Sequence, residues 1–217
     1  MRVPKNKIKV NDTYFNVIDT TEKSYMFGLF LADGCVWFDK QNKPHIQLKL
    51  KDLDGVESFK KAISSEHNIR EEKDGYRLVF RSRQMANDLI ANGCTPRKSL
   101  TKKFPNIFDV DLLWSFVFGY IDGNGTISRR GNSVYIIVYT GSREFASSLF
   151  TFYLSQGITP WTSKEVGEDN THRVGVGTKQ YVIKIYEIWK ENPKYMNRKF
   201  DLLNKYIEEC YGNTEVT

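Results

Sequence analysis

The sequence contains few cysteines, and the three it has are far apart. Cys35, Cys94 and Cys210 form no Cys-x-x-Cys pair and are odd in number. This spacing argues against a zinc site or a disulfide framework, so we interpret all three as reduced thiols. Long apolar runs are also missing, since no stretch approaches the roughly 20 apolar residues of a transmembrane helix. No signal-peptide pattern opens the chain, and we therefore expect a cytoplasmic protein with no membrane partner.

What the sequence has in excess is positive charge. Its 217 residues include 32 Lys and Arg against 26 Asp and Glu, a formal net charge of +6, and the pI is about 9.1. A basic balance of this size favours a polyanionic partner, and nucleic acid before a membrane surface. Aromatic residues make up 14% of the chain, which is enough to fill the core of one large domain or of two domains of about 100 residues each.

Two similar apolar stretches, residues 25–34 and 116–125, organise the rest of the chain. Each has helical character and places two small residues four positions apart. Residues four apart lie on one face of a helix, so each helix is predicted to present a flat stripe that another backbone can approach closely. The small residues are Gly28 with Ala32 in the first stretch and Gly119 with Gly123 in the second.

Each stretch ends on a polar residue followed by a glycine. Gly34 and Gly125 are predicted to adopt the left-handed conformation that commonly closes a helix. If the two stripes face each other, Asp33 and Asn124 emerge side by side at the same end of the helix pair. Asp122 points to a different face, and we interpret it as structural.

The elements that follow the two stretches repeat. Hydrophobic periodicity predicts the order helix, strand, strand, helix, strand, strand, helix twice, and Asp33 and Asn124 are 91 positions apart (124 − 33). We predict an α+β fold of two pseudo-symmetric αββαββα halves, whose antiparallel sheets are covered by helices on one side and form an open saddle. The predicted boundaries are 1–18 for an N-terminal extension with a short hairpin, 19–94 for the first half, 95–108 for a linker, and 109–217 for the second half with its C-terminal helix. The predicted helix caps are Asp19 with Glu22 for the first stretch and Asp109 for the second.

The bare face of each predicted sheet carries polar side chains. In the strand at 45–51, Ile46, Leu48 and Leu50 alternate with polar residues, so the polar set faces away from the helices. Arg, Lys and Gln can read base edges in the major groove, and Lys also neutralises phosphate; the alternative is an ordinary solvated face. The strand at 134–140 is apolar on both faces, which leaves its DNA-facing side open. The predicted DNA-binding residues are Gln47, Lys49, Lys51, Arg77 and Arg81 in the first half and Ser128, Arg130, Arg173 and Lys179 in the second.

The paired stretches resemble the signature of the LAGLIDADG homing endonucleases, in the single-chain form that carries two motifs. The first motif aligns with residues 26–34 and the second with residues 117–125. The resemblance runs from about residue 11 to about residue 206. In that family the penultimate acid of each motif binds a catalytic divalent metal. Asp33 matches this pattern, whereas Asn124 places an amide where the family has an acid.

The resemblance implies a metal centre at the two motif ends, with Mg²⁺ as its ion and with Ca²⁺ able to bind without supporting cleavage. Two basic pairs, Arg97-Lys98 and Arg198-Lys199, recur after the last helix of each half. Lysines of this kind flank the active sites in the family, where a cation can stabilise charge on the phosphate; phosphate binding without catalysis is the alternative. The implied catalytic residues are Asp33, Asn124, Lys98 and Lys199, and the implied metal ligands are Asp33, Asn124, Gly34 and Gly125.

The function that the resemblance implies is metal-dependent, site-specific cleavage of double-stranded DNA by a monomer. A strand of about nine residues spans about nine base pairs, so two halves would cover on the order of 18. A long, partly palindromic target of this kind suits intron homing, and Asn124 predicts impaired cleavage. The alternative is a binding protein of the same fold, either a DNA-binding regulator without cleavage or an RNA maturase that binds intron RNA.

Overall fold

The computed structural model describes residues 8–96, 98–164 and 171–212, so Arg97 of the first basic pair lies outside the described residues. The first half contains α1 (Thr21–Asp33), β1 (Gly34–Phe38), β2 (Pro44–Leu50), α2 (Leu53–Ala62), β3 (Ile69–Glu72), β4 (Gly75–Phe80) and α3 (Arg83–Ala91). After a short 3₁₀ turn (Lys98–Leu100), the second half contains α4 (Val110–Asn124), β5 (Gly125–Arg130), β6 (Ser133–Thr140), α5 (Arg143–Ser155), β7 (Trp161–Lys164), β8 (His172–Val176) and α6 (Lys179–Glu191), followed by α7 (Arg198–Tyr211).

Each half builds one four-stranded antiparallel sheet with the same topology. The strand order is β1-β2-β4-β3 in the first sheet and β5-β6-β8-β7 in the second. The two halves therefore repeat one arrangement, which confirms the predicted α+β fold of two αββαββα units. Across the ranges that the structure describes, no helix combines the length and the apolar character that a bilayer span requires.

The two halves meet where α1 packs against α4, and the contact is backbone against backbone. A Cβ atom added at Gly28 would overlap the carbonyl oxygen of Phe116, and one added at Gly119 would overlap that of Tyr25. A Cβ added at Gly123 would overlap the Cβ of Ala32. These reciprocal contacts confirm the predicted small-residue stripes as the interface. Only residues without bulky side chains allow two helices to approach this closely.

Aromatic side chains anchor each helix of this pair to its own half. The Phe30 ring of α1 stacks on Phe59 of α2, with ring centroids 5.7 Å apart. Phe118 of α4 stacks on Trp189 of α6 at 4.8 Å. Stacked aromatic pairs combine large apolar burial with a specific geometry, so each helix is held firmly by the half to which it belongs.

The helix starts agree with the predicted caps at one of the two positions. Asp109 caps α4, since its side chain accepts hydrogen bonds from the backbone amides of Asp111 and Leu112. The N-cap of α1 is Thr20, not Asp19: its hydroxyl accepts from the Lys23 amide. Asp19 instead pairs with the Lys23 ammonium group at 2.8 Å. A threonine one residue later thus does the capping that the sequence pattern assigned to the aspartate.

The helix ends differ from the prediction in conformation. Gly34 has φ −78° and Gly125 has φ −101°, so both are extended and neither is left-handed. Their glycine identity has a steric cause instead. A Cβ added at Gly125 would lie 2.6 Å from the Ile121 carbonyl oxygen, and one added at Gly34 would overlap the Phe30 ring. At these two glycines, α1 passes directly into β1 and α4 passes directly into β5.

The N-terminal segment also differs from the prediction. Residues 8–18 form a turn at 12–16 and no strand, so the predicted hairpin is wrong for the described part of the extension. Tyr14 and Phe15 are buried instead, and their rings contact each other edge to face at 4.8 Å. The apolar residues of this segment therefore contribute to the core from a turn, and they form no strand pair.

The two sheets bury one face against helices and leave the other open. Ile46, Leu48 and Leu50 of β2 are buried, and the residues between them are half-buried. In β6, Val134, Ile136 and Val138 are buried, while Tyr135, Ile137 and Tyr139 are half-buried. This alternation confirms which face of β2 was predicted to point away from the helices. It also identifies the open side of β6, which presents two tyrosines and an isoleucine.

We expect Gly119→Leu to destabilise the fold, because the leucine would force the α1 and α4 backbones apart. Overpacking of this kind costs about 1–3 kcal/mol or more. Thermal or denaturant unfolding measures the loss. Ser147→Leu, which places the same large side chain at an exposed position of α5, is the matched control and should unfold like the parent. Equal stability of the two variants would contradict the backbone contact.

Candidate functional site

The ends of α1 and α4 bring together the two predicted motif-end residues. The Asn124 amide Nδ2 donates to the Ala32 carbonyl oxygen at 3.3 Å, one residue before Asp33. Gly123, the residue before Asn124 on α4, also lies close to Asp33 of α1. A Cβ added at Gly123 would lie 2.9 Å from Asp33 Oδ2. Asp33 and Asn124 therefore lie side by side at the same end of the α1–α4 helix pair. The close contact between the two helix backbones sets the distance between these residues.

Two lysines close the carbonyl ends of these helices. Lys98 Nζ donates to the Ala32 carbonyl at 3.3 Å, at the end of α1. Lys199 Nζ donates to the carbonyl oxygens of Ile121 at 2.7 Å and Gly125 at 2.7 Å, and also to those of residues 122 and 123. Cations at a helix C-terminus complement its partial negative charge. The two lysines thus occupy corresponding places in the halves, but Lys199 is held by four carbonyls and Lys98 by one.

A third buried lysine, Lys102, belongs to the same centre and was missing from the sequence prediction. It is 3% exposed, and its Nζ lies 4.9 Å from the centre of the Tyr120 ring. Burial lowers the pKa of Lys102 to about 8, and the charge of Asp33 opposes that shift. Its spacing of four from Lys98 in a linker rich in basic residues was the available signal.

The electrostatics of the centre are dominated by cations. Burial raises the pKa of the Asp33 carboxyl, and the charges of Lys199, Lys98 and Lys102 oppose that shift. Burial also lowers the pKa of Lys98 and of Lys199. Three ammonium groups therefore act on Asp33, while the buried Asp122 also acts on Lys199, and the cations of this centre can attract phosphate oxygens.

Asp122 lies behind the centre, inside the protein. It is buried, and its Oδ2 accepts a hydrogen bond of 2.5 Å from the Tyr25 hydroxyl of the facing helix. Burial raises the pKa of this carboxyl, and the charge of Lys199 opposes the shift. The Tyr25–Asp122 hydrogen bond crosses the helix interface, so it links the two halves a few residues from the motif ends.

The donor groups fit a divalent cation at one motif end and not at the other. At the first end, the Asp33 carboxylate and the Gly34 carbonyl suit Mg²⁺, which commonly takes one or two carboxylates together with substrate phosphates. At the second end, the Gly125 carbonyl already accepts from Lys199, and the Asn124 amide N–H points at Ala32. Among the residues described, no three His, Cys, Asp or Glu side chains form a group that could hold a metal by themselves.

On the open face of the first sheet, two of the predicted DNA-binding residues, Lys49 and Arg77, form ion pairs. Lys49 Nζ lies 2.6 Å from Asp74 and 3.0 Å from Glu72, and Arg77 lies 2.6 Å from Glu72. Lys49 and Arg77 are direct partners in the β2–β4 register. Exposed pairs of this kind are worth about 0–1 kcal/mol each, so a phosphate or a base edge can compete for these cations.

The remaining residues predicted for the first half surround this pair. Gln47 pairs with Val79 in the middle of the sheet. Lys51 follows β2 and lines a cavity of about 200 Å³ that Asp33 also lines. Arg81 follows β4, where its Nη2 lies 3.1 Å from His45 Nε2.

His45 and Trp37 also belong to the open face and were not predicted. Their rings stack with centroids 4.9 Å apart and planes at 13°, and the two residues are direct partners in the β1–β2 register. His45 precedes Gln47 and Lys49 with the same two-residue spacing, so extending the alternation by one step would have found it.

The open face of the second sheet is aromatic where the first is charged. Arg173 pairs with Tyr139 in the β6–β8 register, and its guanidinium lies 5.6 Å from the Tyr139 ring centre. Arg130 lies 5.9 Å from the Tyr135 ring centre. Ser128 is the direct partner of Tyr135. Arginine over an aromatic face is a favourable cation–π arrangement.

Lys179 lies apart from the other residues predicted for this face. It is the first residue of α6, and its Nζ lies 5.0 Å from the Tyr211 ring centre on α7. The structure thus places Lys179 among the helices, and its contact with DNA stays a prediction.

Comparison with known proteins gives a consistent fold and a distant sequence match. No family model matches the chain. A curated protein, the probable translation initiation factor IF-2 of Methanocaldococcus jannaschii, is 28% identical over 142 residues. The match covers 62% of this chain and 12% of that protein, so the chain spans only a small part of that relative's length.

Solved structures match over most of the chain. I-DmoI in complex with DNA and Mn has a TM-score of 0.61 at 11% identity, covering 80% of this chain and 98% of that one. The meganuclease I-AabMI bound to uncleaved DNA also scores 0.61 at 11% identity, covering 86% and 89%. Full-length DUF199/WhiA scores 0.56 at 15% identity, covering 95% and 67%. The chain thus has the fold of the LAGLIDADG homing endonucleases, in the form that carries two motifs on one chain.

Proposed function

We propose that this protein is a site-specific double-stranded DNA-binding protein that works as a metal-dependent homing endonuclease with impaired cleavage. The observation that carries the proposal is the convergence of Asp33, Asn124 and three buried lysines at the helix ends, with one open sheet face in each half. The proposed target is long and partly palindromic, the proposed cofactor is Mg²⁺, with Ca²⁺ binding without cleavage, and the proposed state is a monomer that acts in intron homing. Neighbouring structures were determined with DNA and with Mn or Ca.

The two open faces supply the groups that DNA recognition needs. Arg77 of β4 pairs with Lys49 of β2, and Arg173 of β8 pairs with Tyr139 of β6. Arg77 and Arg173 therefore occupy corresponding positions in the two sheets. Arginine binds guanine edges and phosphates with its planar fork of donors. Gln47, Lys49 and Arg81 add hydrogen-bonding capacity in the first half, and Ser128 and Arg130 add it in the second.

The proposed cleavage chemistry rests on Asp33. A divalent cation bound by Asp33 and Gly34 would supply an activated water and would stabilise the leaving oxygen of a scissile phosphodiester. Lys98 and Lys102 hold positive charge beside Asp33, where it would stabilise the phosphate. At the second motif end, Lys199 corresponds to Lys98 and the Asn124 amide corresponds to the Asp33 carboxylate. Because an amide carries no negative charge, the DNA strand at that end would be cleaved more weakly than the strand at the first end.

The second candidate function is binding without cleavage. Lys199 already donates to the Gly125 carbonyl, and the Asn124 amide N–H donates to Ala32, where a carboxylate would have no proton to donate. Both contacts favour a second motif end that works without a metal ion. The partner under this candidate is duplex DNA for a regulator, or intron RNA for an RNA maturase.

We expect DNA affinity to fall steeply with salt, by about one log unit per log unit of salt for each phosphate contacted. Arg77→Glu should weaken binding to a matched duplex, because it places a negative charge on the open face. Lys61→Glu makes the same charge change at an exposed position of α2 and should leave affinity nearly unchanged. Fluorescence anisotropy titrations at several salt concentrations measure both effects. A flat salt response, or equal losses in the two variants, would contradict binding through the open faces.

We expect Asn124→Asp to raise Mg²⁺-dependent double-strand cleavage about a hundredfold or more, because it restores the negative charge that a second cation needs. DNA affinity should change little, since the open faces are untouched. Asp33→Asn in the Asn124→Asp background should remove the gain. The measurement is cleavage of a matched duplex by the three proteins, with nicked and linear products resolved on a gel.

The same experiment separates the two candidate functions. If Asn124→Asp binds the duplex normally and cuts neither strand, the endonuclease proposal fails and binding without cleavage takes its place. A direct comparison of affinity for duplex DNA and for folded intron RNA then distinguishes a regulator from a maturase.

A further inference from the structure

The strand registers make the open faces of the two halves comparable position by position. Gly34, the residue after the first motif helix, pairs with Leu48 of β2. Gly125, the residue after the second, pairs with Val138 of β6. Leu48 and Val138 are therefore equivalent positions. One residue earlier on each strand, Gln47 of the first half corresponds to Ile137 of the second.

The neighbours confirm that both residues lie in the middle of the open face. Gln47 is flanked by Cys35 on β1 and Val79 on β4. Ile137 is flanked by Thr126 on β5 and Gly175 on β8. Each is half-buried, on an inner strand of its sheet. The equivalent positions thus have the same exposure and different chemistry.

Along the strand, Ile137 has aromatic neighbours on the open face where Gln47 has His45 and Lys49. Tyr135 and Tyr139 lie two residues before and after it on the same face of β6. On the neighbouring strands, the Trp161 ring covers Gly175, since a Cβ added at Gly175 would overlap that ring. Ile137 therefore lies between aromatic rings, with the guanidinium groups of Arg130 and Arg173 over the outer two.

The chemistry available to the two positions is different. A glutamine can form two hydrogen bonds to the major-groove edge of adenine. An isoleucine has no donor or acceptor and can only make apolar contact, and the one apolar group that DNA presents in the major groove is the 5-methyl group of thymine. A half-buried isoleucine on an open face also gains free energy when another apolar group covers it.

We propose that Ile137 is a specificity-determining residue that recognises the methyl group of a thymine in the second half-site. The equivalent Gln47 reads a base edge by hydrogen bonding, so the two half-sites differ at corresponding positions. This proposal rests on the proposed binding of duplex DNA, and it holds whether or not the protein cleaves. It makes the target asymmetric at a defined place within a partly palindromic site.

The experiment uses the full chain and a randomised DNA duplex pool. Rounds of binding and amplification give a preferred duplex, which is then resynthesised with single thymines replaced by deoxyuridine. This replacement removes only the methyl group and preserves base pairing. We expect one thymine of one half-site at which the replacement weakens binding about fourfold, which corresponds to the roughly 0.8 kcal/mol of one buried methyl-sized group.

Two reciprocal variants connect this thymine to Ile137. Ile137→Gln copies the first half's residue and should remove the deoxyuridine effect and change the selected base at that position alone. Gln47→Ile should leave that effect unchanged and should create methyl dependence in the opposite half-site. Melting temperatures of both variants check that the fold is intact.

The outcomes are distinct. If the parent protein binds its selected duplex and no thymine shows the deoxyuridine effect, the proposal for Ile137 is overturned while DNA binding stands. The same holds if the effect persists in folded Ile137→Gln. If no duplex is selected at all, both this proposal and the proposed function fail.

Discussion

The close contact between the α1 and α4 backbones is the constraint on which the rest of the structure depends. Gly28 and Gly119 each lie against a carbonyl of the opposite helix, so the helices cannot separate or slide by a residue without losing both contacts. This fixed register places the two helix ends together, and each end runs directly into the first strand of a sheet. The orientation of both open faces therefore follows from a few atoms at the helix interface.

The same geometry creates the electrostatic problem that the lysines solve. Two helix C-termini at one place concentrate partial negative charge from unpaired carbonyl groups. Lys199 donates to three carbonyls at the end of α4 and to that of Gly125, and Lys98 donates to the Ala32 carbonyl at the end of α1, to which the Asn124 amide also donates. The unequal treatment of the two ends is the main departure from symmetry at the centre. The Asn124 amide N–H thus has its acceptor on the opposite helix.

Much of the fold could be predicted from the sequence because it depends on local periodicity and on a repeat. The four-residue spacing of small residues predicted the helix interface, and the alternation around Leu48 predicted one open face. The features that were missed depend on three-dimensional neighbours. The extended conformation of Gly34 and Gly125 follows from the direct passage into a strand, and the burial of Lys102 follows from how the linker packs. The roles of the site residues stay predictions, since geometry places Asp33 beside Asn124 without testing what either does.

The Lys199 contacts have a consequence for the order in which the chain assembles. Lys199 lies at the start of the last helix, 75 residues after Asn124 (199 − 124). A chain in which α7 has not docked lacks the ammonium group that contacts three carbonyls at the end of α4 and the carbonyl of Gly125. The cationic centre is therefore complete only when α7 has packed against the end of α4.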